Sequence, residues 1–141
     1  MNGVNVSLWA VIVATVVQYV VGAIWYMPIF GTLWGKIHGF DTMDKKTQQA
    51  MRRKMAPMMV LQLVITAFTA YVLAYVIKAL PNHSAYSLAF WMWFGFVLPT
   101  QVSAVIFGGT SPKWVFSKIM IMAGGGLVCL EAAAIVLSHI G

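Results

Sequence analysis

Acidic side chains are nearly missing from this chain, with three Asp and Glu among 141 residues, and charged residues of both signs make up only 9%. A soluble domain carries about one-quarter charged residues. With 61% hydrophobic residues and a mean hydropathy of +0.85, water is not the main solvent of this chain. Cysteine is also scarce. Cys129 stands alone in an apolar run, which excludes an internal disulfide and a cysteine metal cluster and leaves the redox compartment unspecified. His38, His83 and His139 are scattered, with no pair at metal-ligand spacing, so no metal is expected. There is no P-loop, no nucleophile elbow and no pair of carboxylates, and no cofactor is expected. Gly124-Gly125-Gly126 lies inside an apolar run and reads as close helix packing or a flexible point. An enzyme is the least supported class. No internal repeat, low-complexity tract or domain linker is present.

What is there is apolar sequence in long blocks. A bilayer core needs about 20 apolar residues per helix, so the length fits four spans in a single domain over residues 1–141, at about 4–27, 56–80, 85–107 and 115–138. The fold class is all-α, a polytopic membrane protein of four transmembrane helices, with a short interfacial helix and a basic amphipathic helix between spans 1 and 2. The first helix is expected to begin almost at Met1. It has no basic leader and ends in Trp25-Tyr26-Met27-Pro28, so a cleavable signal peptide is not expected. Along it, Ser7, Val11, Thr15, Gln18, Gly22 and Trp25 fall at steps of three or four and share one face, the stripe that packs in a membrane helix.

Residues 22–39, GAIWYMPIFGTLWGKIHG, turn the chain. Pro28 removes a donor and disfavours helical geometry at Met27, so the span should end or kink there. Phe30, Leu33, Trp34 and Ile37 then recur at helical spacing while Gly31, Gly35 and Gly39 recur every four residues. The expectation is a short interfacial helix whose tryptophans, Trp25 and Trp34, set the depth and whose glycines admit another backbone. Next, DTMDKKTQQAMRRKM has aspartates at its start and Arg52, Arg53 and Lys54 at its end, the polarity of a capped helix. Met43, Met51, Met55 and Met58 lie near one side, of a helix that lies on lipid or runs into the next span, or that offers a surface to a partner protein. Pro57 is expected in the first turn of the second span, Tyr86, Trp91 and Trp93 form an aromatic belt, and Ala10 with Ala14 and Ala70 with Ala74 offer small-residue seams to partners.

A net charge of +6 would suggest nucleic acid in a soluble protein, but here the basic residues adjoin apolar spans. No nucleic acid is expected. The expected partners are the lipid bilayer, including anionic lipids, and either further copies of the chain or a larger membrane complex. Lys36, Lys45, Lys46, Arg52, Arg53 and Lys54 fill the first connection and Lys113 and Lys118 flank the third, while the middle turn has Lys78 alone. The positive-inside bias therefore puts both termini on the non-cytoplasmic side.

Glu131 is the one acid outside the first connection and falls on a stripe with Ser117, Gly124 and Ser138. Charged and unpaired at that depth, it would cost several kcal/mol. Two readings stay open, a proton- or cation-coupling site and a protonated structural glutamate held by Tyr71, Tyr75 or Trp91. Gln18, Gln62 and Gln101 are the next candidates, either lining a polar cavity for a small ligand or bonding helix to helix.

Asn5, Gly22, Trp25-Tyr26, Pro28, Phe30-Gly31 and Trp34, followed by three further apolar spans, resemble the bacterial membrane proteins grouped as domain of unknown function seventeen sixty-one. The resemblance implies a four-helix protein of the inner membrane whose activity is not established. Two function classes follow, a structural or accessory subunit that self-associates, and a small proton- or cation-coupled transporter or channel using Glu131.

Overall fold

The computed structural model describes residues 4–141. The Ser7 hydroxyl accepts from the Ala10 N–H at 3.2 Å and caps the first helix, α1, over Leu8–Ile24. Met1, where the first span was expected to begin, lies outside the described residues. α1 does not stop at its end but widens. Over Trp25–Ile29 the backbone turns more broadly, and the Phe30 N–H reaches back five residues to the Trp25 carbonyl at 3.0 Å. Pro28 sits in this turn with no N–H to place, which is how the helix passes it without a clash. A short helix, α2, follows at Gly31–Ile37. Gly39, at φ +70°, then reverses the chain in the left-handed region that favours glycine.

A single turn at Phe40–Thr42 leads to Asp44, whose carboxylate accepts from the Thr47 N–H at 2.9 Å and caps α3, Lys45–Ala79. Here the basic helix runs into the second span, one of the two arrangements expected, rather than lying apart on the surface. α3 is continuous over 35 residues and about 52 Å long, well beyond a hydrocarbon core of ~30 Å. Pro57 lies inside it rather than in its first turn. No glycine or capping residue separates the polar run from the apolar one, so the helix continues through the proline.

Leu80–Ser84 turn the chain, and the Ser84 hydroxyl caps α4, Ala85–Met92. A second widened turn at Trp93–Val97 precedes α5, Leu98–Phe107, and relieves Pro99 as the first relieves Pro28. A single turn at Pro112–Trp114 starts α6, Val115–Ile140. No strand occurs among the described residues.

α6 is the spine, packing against α1, α3, α4 and α5. α1 runs antiparallel to α3, because Tyr19 donates to the Met59 carbonyl at 3.0 Å while Val11 shares a groove with Val64 and Tyr71. It runs antiparallel to α6 as well, since Cys129 contacts Gln18 and Ile121 contacts Trp25. The core is built of small residues. Ala14, Ala70, Ala89, Ala133 and Ala134 are fully enclosed, and Leu73 is the largest side chain among them. Alanines let helix axes approach closely, which in lipid replaces the hydrophobic drive available in water. The seams of Ala10 with Ala14 and Ala70 with Ala74, expected to serve partners, are therefore occupied inside the bundle.

Candidate functional site

The stripe read along α1 faces α6. Val11, Thr15 and Gln18 are buried, Gly22 faces the Cys129 sulfur, and Trp25 lies on Gly124 and Gly125. Thr15 turns its hydroxyl to the Val11 carbonyl at 2.7 Å, and Cys129 directs its thiol to the Gln18 carbonyl at 3.6 Å. The side-chain oxygen of Gln18, itself only 4% exposed, has no partner among the described residues.

The three glycines of α6 form a bed for two indoles. A Cβ on Gly125 would fall 2.9 Å from Trp25 Cδ1, one on Gly124 would fall 3.0 Å from Trp25 Cζ2, and one on Gly126 would fall 3.0 Å from Val97. Trp25 Nε1 donates to the Ile121 carbonyl at 2.8 Å, and Trp93 Nε1 donates to the Ala123 carbonyl at 2.7 Å. A carbonyl oxygen has two lone pairs, so each can serve the helix ladder and an indole together. Both tryptophans open a widened turn. That geometry re-aims each side chain into the bundle, and in lipid a buried indole N–H without an acceptor would be costly. Trp93, expected in an aromatic belt, is thus a cross-helix tie, and Trp25, expected on the packed face of α1, is its counterpart. Trp91, at 63% exposure, stays on the outside.

The other motif residues build the corner. Phe30 packs on Trp25 at 4.7 Å between ring centres, Tyr26 meets Trp34 edge-on at 5.1 Å, and Trp34 meets His38 at 4.3 Å. Inside the chain the corner glycines make local contacts only. A Cβ on Gly31 would approach the Tyr26 carbonyl at 3.2 Å, and one on Gly35 would meet nothing nearer than Phe40 at 3.9 Å. At the start of α3, the hydrogen bonds from Thr47 hold the Asp44 carboxyl below the usual carboxylate range.

The polar candidates do not converge. Glu131 is partly buried on α6, Gln18 is buried on α1, Gln62 is exposed on α3 and Gln101 is partly buried on α5. Tyr71, 41% exposed, lines an apolar groove with Val11, Val64, Ala67 and Phe68. Among the described residues no hydrogen bond joins Glu131 to Tyr71, Tyr75, Trp91 or any of the three glutamines, and no group of three His, Cys, Asp or Glu gathers to hold a metal. Of the two readings of Gly124-Gly125-Gly126, close packing and a flexible point, the structure shows close packing, with occupants the sequence did not indicate. Residue spacing reports which side chains share a face of one helix, and Trp93 and Trp25 arrive from two others.

Four helices long and apolar enough to cross a membrane, closed by small-residue seams and two indole ties, define an all-helical polytopic membrane protein. The chain belongs to the family described as Protein of unknown function (DUF1761), whose model matches residues 9–138. That match takes in the whole aromatic and glycine corner as well as the α6 glycine bed. No curated protein and no solved structure matches the chain.

Proposed function

We propose that this is a structural or accessory protein of the bacterial inner membrane, multi-pass, with both ends on the non-cytoplasmic side, that associates with copies of itself or with a larger membrane complex. The observation that supports this reading is the division of labour among its distinctive residues. Trp25 of the aromatic corner, Trp93 and the glycine bed tie helices together, whereas Glu131, Gln18, Gln62 and Gln101 lie on four elements with no hydrogen bond between them among the described residues. The orientation rests on the concentration of Lys and Arg at one end of the bundle. Gly35 gives a clean test, because its position has room inside the chain. Gly35→Leu should keep the fold and lower the mass of the particle measured by light scattering in detergent, with Gly31→Leu as a second variant. A wild-type chain that is monomeric and co-purifies with no other membrane protein overturns the reading.

A second reading has its own support. Glu131 on α6 and the Gln18 oxygen, unpartnered among the described residues, are two polar groups within the spans that packing leaves unexplained. In a proton- or cation-coupled transporter or channel, Glu131 would take the proton or cation and Gln18, Gln62 and Gln101 would line the path. Glu131→Gln would then abolish solute-driven proton movement in proteoliposomes, and full movement in that variant removes this reading.

A further inference from the structure

Of the nine Lys and Arg, only Lys78 lies at the end of the bundle where α3 turns into α4. The antiparallel arrangement of α1 with α3 and α6 brings the other eight to the opposite end, against two aspartates, one of which is engaged as the α3 cap. These cations are gathered by contacts between elements. Lys118 Nζ of α6 lies 5.8 Å from the ring centre of Trp34 in α2, and the Arg52 guanidinium of α3 lies 5.5 Å from that of Phe40 in the connection. Gln48 of α3 donates to the Phe40 carbonyl at 2.9 Å and to the Met43 carbonyl at 3.3 Å, folding the connection onto the helix. The result is a basic collar spanning α2, α3 and α6.

Within the collar and immediately beneath it, on the same helices, large apolar side chains are exposed. Phe116 is 74% exposed between Lys113 and Lys118, and Met55 and Met58 follow Arg52, Arg53 and Lys54 within two turns. A nucleic acid or an acidic protein would cover the cations and leave those side chains uncovered. An amphiphile with an anionic head and acyl tails covers both.

We propose that the collar is a binding surface for anionic phospholipid, with Arg52 and Lys118 as its principal phosphate contacts, Met55 and Met58 against the acyl chains and Phe116 among the headgroups beside Lys118. Each cation sits over an aromatic ring, which restrains its side chain near the headgroup region. The proposal does not depend on self-association, so it can fail or succeed separately from the accessory-subunit reading.

The test is native mass spectrometry of the full chain released from detergent, with phosphatidylglycerol and phosphatidylcholine supplied in equal amounts. The wild type should carry phosphatidylglycerol over phosphatidylcholine by more than about tenfold, and Lys118→Gln and Arg52→Gln should each lower that ratio about fivefold. Lys78→Gln, at the far end, should leave it unchanged. Raising the ionic strength on the wild type, which involves no substitution, should also lower the ratio. Equal binding of the two lipids, an equal loss in Lys78→Gln, insensitivity to salt, or displacement of the lipid by millimolar inorganic phosphate would each overturn the proposal.

Discussion

Gly125→Ala adds one methyl group where a helix propensity scale would favour it, and the expected result is loss of stability. The new Cβ falls 2.9 Å from Trp25 Cδ1 and 3.0 Å from Nε1, atoms at the anchored edge of the indole rather than at a free end. The ring must move, and with it goes the 2.8 Å bond to the Ile121 carbonyl. Overpacking of this kind costs about 1–3 kcal/mol, and the lost bond about 1 kcal/mol. Replacing glycine by alanine within a helix returns about 1 kcal/mol, so the net loss should be about 1–3 kcal/mol. Gly22→Ala is the internal control. Its Cβ meets the Cys129 sulfur at 3.7 Å, an ordinary contact, so the propensity gain stands alone and the variant should be as stable as the wild type or more so. Cys129 supplies the assay, since the only thiol in the chain is partly buried against α1 and a fluorogenic maleimide reads its release on heating. Gly125→Ala should release it at a lower temperature than wild type. In a Trp25→Phe background, which removes the indole, the same substitution should cost less. If Gly125→Ala matches or exceeds Gly22→Ala in stability, the indole tie does not hold α1 to α6 as argued.

The corner and the α3 cap yield two more outcomes. Gly39→Ala places a Cβ at φ +70°, which should cost about 1 kcal/mol and lower the temperature of Cys129 release, while Gly35→Ala should not. Because the Asp44 carboxyl is held below its ordinary range, the cap is fully present above the unfolded aspartate range and is lost as pH falls through the lower folded value. Asp44→Ala should therefore speed amide exchange at Thr47 at neutral pH, whereas Asp44→Asn should preserve the protection and flatten its acid dependence. Identical exchange in the two variants would show that the carboxylate is not the cap.

Most of the architecture was legible because it depends on local chemistry. Charge-free runs marked the spans, and the three-and-four spacing from Val11 to Trp25 marked the packed face of α1. What escaped depended on partners distant in sequence. Pro57 reads locally as a helix start, yet α3 runs through it, held in part by Tyr19 on the Met59 carbonyl two residues beyond. Trp93 reads as a belt residue because aromatics cluster around it, and only the carbonyl of Ala123, thirty residues on, turns it inward. The polar candidates were legible as residues but not as a site, for spacing along four separate helices does not say whether Glu131 and the glutamines meet.

The position of α6 in the chain has a consequence for biogenesis. It is the last of the four long helices in chain order, yet it supplies the carbonyls and the glycine bed that receive Trp25 and Trp93. Until it enters the membrane, both indole N–H groups lack their acceptors and the Gln18 face of α1 has no cover. α1 and α3 have their own tie, from Tyr19 to the Met59 carbonyl, but the indoles have none before α6. The two indole ties thus depend on the helix that follows both of them in the chain.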